Sequence, residues 1–128
     1  MIEGMLRALV IGVAVVAVGA GAAWATTYES RAISVTKTTG AGPTVKLAGK
    51  LTSKTAPCHV GAPLQLEKRS PSGRWSSVRS SRTNTKGAFS WTFVGFKAKA
   101  RIVVPQITKG SVVCAPVTLG FDRGYLSP

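Results

Sequence analysis

Beyond residue 25 this chain shows no helical period; short runs alternate apolar and polar residues, and turn signals punctuate them. Such alternation sends successive side chains to opposite faces of a strand, which half-buries it. "TVKLAGKL" sets Val45, Leu47 and Leu51 against Lys46 and Lys50, and "PLQLEKR" sets Leu64 and Leu66 against Gln65, Glu67 and Arg69. Ser70-Pro71-Ser72-Gly73 then reads as a turn, because proline presets the second position and glycine tolerates the exit. "RWSSVRSSRT" carries only Trp75 and Val78 as large apolar residues and reads as an exposed or edge strand. Lys86-Gly87 closes the next turn, and "AFSWTFV" places Phe89, Trp91 and Phe93 on one face as core. "KAKARIVV" puts Ala98, Ala100, Ile102 and Val104 on one side of a strand and Lys97, Lys99 and Arg101 on the other. A last strand is expected over residues 112–119, with 120–128 as a tail. Six to seven strands at intervals of about ten residues predict an all-β fold, an antiparallel β-sandwich over residues 44–119.

Residues 1–25 are expected to stand outside that fold. An uncharged run from Ala8 to Ala25 ends in Ala23-Trp24-Ala25, the small-x-small pattern that a signal peptidase requires. The segment reads as an N-terminal signal helix cleaved after Ala25, with an uncleaved membrane anchor as the rival. A spanning helix needs about 20 well-packed apolar residues, and this run is short and diluted with alanine and glycine. Residues 26–43, rich in Thr, Ser and Gly, read as a linker or an edge strand through Ile33 and Val35. The expected location is therefore secreted or extracytoplasmic, at the cell surface, or membrane-anchored if the first segment is kept.

Two cysteines in an exported chain read first as one disulfide, Cys58 with Cys114. His59, the only histidine, raises a metal alternative at Cys58-His59. Zinc needs three or four ligands, and beyond these residues the mature chain supplies only Glu29, Glu67 and Asp122. No metal, no cofactor and no catalytic residue is expected. The chain has no Gly-x-Ser-x-Gly elbow, no paired carboxylates and no glycine-rich phosphate loop.

The stretch "CHVGAPLQLEKRSPSGRWSSVRSSRTNTKGAFSWTF" resembles the small Ig-like, prealbumin-like modules of bacterial secreted and surface proteins, which are similar to the regulatory-like domain of some carboxypeptidases. "LAGKLTS", Gly61-Ala62-Pro63-Leu64, Gly73-Arg74-Trp75 and Thr83–Phe89 carry the likeness, with Cys114 late in the chain. The resemblance implies an Ig-like topology and an early cysteine joined to a late one, here Cys58–Cys114. About function it implies little, since this superfold hosts many unrelated roles.

Charge is the most unusual quantity. The chain has 17 Lys+Arg against 4 Asp+Glu, a net charge of +13. Removing Glu3 and Arg7 with the first segment leaves 16 against 3, still +13. A field of that size attracts polyanions, which in the cell envelope are anionic polymers or lipid headgroups. Lys97, Lys99 and Arg101 are the densest candidate contact. The plainer reading is that solvent-facing cations keep the module soluble and guard sheet edges. Nucleic acid is an unlikely partner, because no recognition motif accompanies the charge. Trp75, next to a turn, is a candidate stacking residue for carbohydrate. The expected protein is thus a non-enzymatic, monomeric binding or structural module of the envelope. An accessory subunit tethered to an envelope complex is the further alternative.

Overall fold

The computed structural model describes residues 26–128; the expected signal helix lies outside the described residues. The fold is nearly all-β. Its strands are β1 (Thr27–Glu29), β2 (Ala32–Thr39), β3 (Thr44–Thr52), β4 (Pro63–Arg69), β5 (Trp75–Arg82), β6 (Ala88–Val94), β7 (Ala100–Val104), β8 (Ile107–Lys109), β9 (Val112–Cys114) and β10 (Val117–Phe121). One short helical turn, α1 (Ala56–His59), carries Cys58. Three sheets form, in the orders β2-β3-β6, β10-β7-β4-β5 and β1-β9-β8.

The alternation in the sequence becomes burial. Val45, Leu47 and Leu51 of β3 and Phe89, Trp91 and Phe93 of β6 point inward from the three-stranded β2-β3-β6 sheet. Leu64, Leu66, Ala100, Ile102 and Val104 point inward from the four-stranded sheet, and the two sets share one core. Each buried Leu, Ile, Val or Phe contributes about 1.5–3 kcal/mol. Gly49 makes room for that packing. A Cβ there would fall 2.6 Å from Phe89 Cζ and closer still to the Ser34 carbonyl, so the ring lies where a side chain would be. Gly49→Val is therefore expected to destabilise the fold by about 1–3 kcal/mol through overpacking, read as a lowered urea midpoint. A midpoint unchanged by the valine would mean that the Phe89 ring does not rest against this backbone.

Of the linker and edge-strand readings of residues 26–43, the second holds: β2 pairs antiparallel with β3 from Ala32↔Thr52 to Thr39↔Val45 as the edge strand of its sheet. Three expectations need correction. The pairing is not wholly antiparallel, since β1 runs parallel to β9, from Thr27↔Val112 to Glu29↔Cys114. The expected strand over residues 112–119 breaks into β9 and β10 at Ala115-Pro116, where proline has no N–H to give a ladder. Residues 120–128 are not a free tail: Phe121 ends β10, and Leu126 is wholly buried in the core. Phe96 N–H donates to the Leu126 carbonyl (3.1 Å), and Lys37 Nζ donates to that of Tyr125 (2.6 Å), fastening the segment down.

One end of the molecule is held by Cys58–Cys114, whose Cα atoms are 5.4 Å apart. A disulfide of this kind marks an oxidising, extracytoplasmic environment. Among the described residues, no helix is long and apolar enough to cross a membrane. Around the bridge lies a group that the sequence concealed. Arg31 is 7% exposed, and its guanidinium donates to the carbonyls of Ala115 (2.7 Å), Pro105 (2.6 Å), Cys58 (3.3 Å) and Cys114 (3.3 Å). Burial lowers its pKa below the ordinary arginine range, to about 10, which leaves it charged at neutral pH.

Candidate functional site

The Cys58-His59 pair, which raised the metal alternative, sits on the helical turn α1. Cys58 is consumed by the disulfide, while His59 Nδ1 lies 2.8 Å from Ser53 Oγ. That hydroxyl donates its hydrogen bond to the Thr55 carbonyl (2.7 Å), so toward Nδ1 its oxygen is the acceptor and the imidazole does not act on it as a base. Among the described residues, no three His, Cys, Asp or Glu side chains are grouped to hold a metal ion.

The opposite end of the molecule is basic. It is built on the turn between β4 and β5, where Gly73 N–H donates to the Ser70 carbonyl (2.9 Å) and Ser70 N–H donates to that of Arg74 (2.8 Å). Gly73 sits at φ 92°, a conformation that suits glycine. Beside it runs the loop from β6 to β7, tied in by the Arg69 N–H donating to the Lys99 carbonyl (2.9 Å). The two connections bring Lys68, Arg69, Arg74, Lys97 and Lys99 to one end, all exposed. Asp122 stands near them, since it follows Phe121, the register partner of Ala100. Five exposed cations face that one acid.

Lys97 and Lys99 do not lie on a strand with Arg101, as the spacing suggested; β7 begins at Ala100, and both lysines precede it in the loop. Arg101 does lie on β7, and it is already engaged. Its Nε donates to Glu67 Oε1 at 2.7 Å, and its guanidinium carbon sits 4.1 Å from the centroid of the Trp75 ring. Arg69 approaches the same ring at 6.0 Å. Contacts of this kind contribute about 0.5–1 kcal/mol at partly exposed sites. Trp75 is thus half-buried beneath a guanidinium, and the two separate candidates of the sequence, cation and aromatic, form one cluster. Lys68 Nζ extends the pattern at 5.4 Å from the Phe96 ring.

A register shift sets what lies beside that cluster. The pairing of β4 with β5 slips between Leu66 and Glu67, so that Leu66 faces Arg79 but Glu67 faces Ser77. The extra residue, Val78, turns to the core, and the shift brings Ser80 and Arg82 onto the same outer face as Trp75. Sequence reasoning missed this, because a steady period of two would have put Trp75 and Ser80 on opposite faces. The one hint was the spacing of Trp75, Val78 and Ser81, the three partly buried residues of β5, which is three and not two.

Set against protein families, curated proteins and solved structures, the chain has no match.

Proposed function

We propose that this protein is an exported, non-enzymatic Ig-like β-sandwich that binds anionic polymers or lipid headgroups of the cell envelope through its basic end. One observation carries the reading: 13 of the 16 lysines and arginines in residues 26–128 are exposed, and they are hardly offset. Of the three acids, Glu67 is taken by Arg101, Glu29 is half-buried, and only Asp122 is exposed. Unneutralised positive charge of one sign concentrates polyanions at a surface and speeds their capture. The arrangement of Lys68, Arg69, Arg74, Lys97 and Lys99 around two loops gives that attraction a direction. The disulfide is consistent with a protein working outside the cytoplasm, and the Ig-like character rests on two sheets sharing one core.

Retention on purified cell envelope is expected to fall by about tenfold or more between 50 and 300 mM salt, since exposed charges are screened over about 10 Å at 0.1 M. Reversing Arg74, Lys97 and Lys99 together to Glu should weaken retention by a similar factor. Reversing Lys109, an exposed cation on β8 far from this end, should change it less than twofold. Retention that ignores both salt and the triple reversal would refute an electrostatic mode of binding.

A further inference from the structure

The exposed side of the four-stranded sheet is a continuous face that joins the basic end to a groove. Reading along β4, its outward residues are Pro63, Gln65, Glu67 and Arg69, about 20 Å from first to last at 3.3 Å per residue. Beside Glu67 and Arg69 stand Arg101, Ser77 and Trp75, the cationic part. Beside Pro63 and Gln65 the character changes. A groove of about 780 Å³ opens there, and its lining includes Pro63, Gln65, Ser80, Arg82, Val103 and Pro105. That size falls within the usual range for small-molecule sites. The outward side chains among these are two proline rings and a branched aliphatic, interrupted by one amide, one hydroxyl and one guanidinium. Arg82 is positioned by donating to the Gly61 carbonyl at 2.9 Å.

Resting on the anion-binding reading above, we infer that this face binds an acidic glycan, a linear polymer of sugar rings carrying carboxylates, with sugar rings in the groove and carboxylates toward the basic end. Each part of the face meets a different part of such a chain. The C–H faces of a pyranose pack on Pro63, Val103 and Pro105, while its hydroxyls meet the Gln65 amide and the Ser80 hydroxyl, both on exposed residues. Carboxylates farther along meet Arg69 and the loop lysines. Arg101, neutralised by Glu67 and flattened on Trp75, supplies a rigid platform between the two parts. A polymer that is merely anionic uses only half of this surface. The register shift in β5 is what makes the face continuous, because it alone puts Ser80 and Arg82 in line with Trp75.

Titration calorimetry on the oxidised protein with three oligomers tests the inference: an eight-unit uronic-acid oligomer, a polyphosphate of eight phosphates and an eight-unit dextran. The uronate is expected to bind at least fivefold tighter than the polyphosphate, and dextran to bind at least tenfold more weakly than the uronate. Ser80→Trp closes the groove with a residue that an exposed strand accepts readily. It should cost about tenfold in uronate affinity and less than twofold in polyphosphate affinity, at an unchanged melting temperature. Gln65→Ala provides a second, milder variant with the same sign. Equal binding of uronate and polyphosphate, both untouched by Ser80→Trp and Gln65→Ala, overturns the glycan inference and leaves the anion-binding reading standing. Failure of both anions to bind overturns both. Dextran binding as tightly as the uronate removes the role assigned to the carboxylates.

Discussion

Replacing Arg31 with methionine is expected to cost about 3 kcal/mol of folding stability, although it removes a single surface-type residue from a segment with little core of its own. The reason lies in what the side chain serves. Its guanidinium donates to four carbonyls, two of them at 2.6–2.7 Å, contributed by Cys58, Pro105, Cys114 and Ala115. Methionine fills similar space but donates nothing, so those acceptors lose their partner in a site that is 93% shielded from water. A buried acceptor left unsatisfied costs about 1–3 kcal/mol, and hydrogen bonds to a charged group are at the strong end of the range. Against this, methionine avoids the desolvation that depresses the arginine pKa to about 10, which keeps the estimate near 3 kcal/mol and well short of the gross sum. Arg31→Lys should fall between, because an ammonium is a compact point charge and cannot reproduce the planar fork. Chemical denaturation measures the loss. Amide exchange locates it: the N–H groups of Thr27 and Ala115, which pair with Ser111 and Glu29, should exchange faster in the methionine variant than those of β3. A methionine variant as stable as the parent would show that solvent reaches these carbonyls.

The second large effect concerns the bridge itself. Cys58 and Cys114 are separated by 56 positions. Freeing a loop of that length adds conformational entropy to the unfolded chain worth about 4 kcal/mol in the loop-closure account. For a domain of this size one kcal/mol corresponds to roughly 4–8 °C, so Cys58→Ala with Cys114→Ala should lower the melting temperature by about 20 °C. The two half-cystines are wholly buried, and alanine leaves a small void in each place, so the measured loss should not fall below the entropic figure. A drop under 5 °C would mean that the unfolded chain is already compact around this pair. The double variant with Arg31→Met should cost less than the sum of the separate losses, because Arg31 bonds both half-cystine carbonyls.

What the sequence made legible follows from local chemistry. The inward sets Val45, Leu47 and Leu51; Leu64 and Leu66; Phe89, Trp91 and Phe93 announce themselves by period, and all are buried. The turns at Ser70–Gly73 and Lys86-Gly87 follow from residues that favour those backbone angles, and Gly87 sits at φ 80°. What stayed hidden depends on partners far along the chain. Arg31 looks like any cation in a polar segment until residues 27 to 84 positions away present their carbonyls to it. The split at Ala115-Pro116 reads as one apolar run, since Val112, Val113 and Val117 obscure the proline between strands. Leu126 gives no period at all, and its burial follows from the end of the core being open for one more side chain.

The candidate site was legible in its parts and not in its assembly. Lys97, Lys99, Arg101 and Trp75 were each visible as residues of interest, yet spacing placed the three cations on one strand and left Trp75 alone. Position in the structure reverses this: Arg101 belongs with Trp75 and Glu67, and the lysines belong with the turn of Arg69 and Arg74. Register between strands is a tertiary quantity, and a single inserted residue in β5 decides it.

The parallel pairing of β1 with β9 has a mechanical consequence. A pull on Thr26, directed back along β1, loads its ladder bonds to β9 together and in shear, because the two strands run the same way and cannot peel open like a hairpin. Just behind β1, Arg31 bolts the same segment to four carbonyls, and the bridge locks Cys114, the last residue of β9, to α1. Traction from that side therefore loads the β1–β9 ladder, the Arg31 bonds and the bridge before it reaches the basic end at the far side of the core.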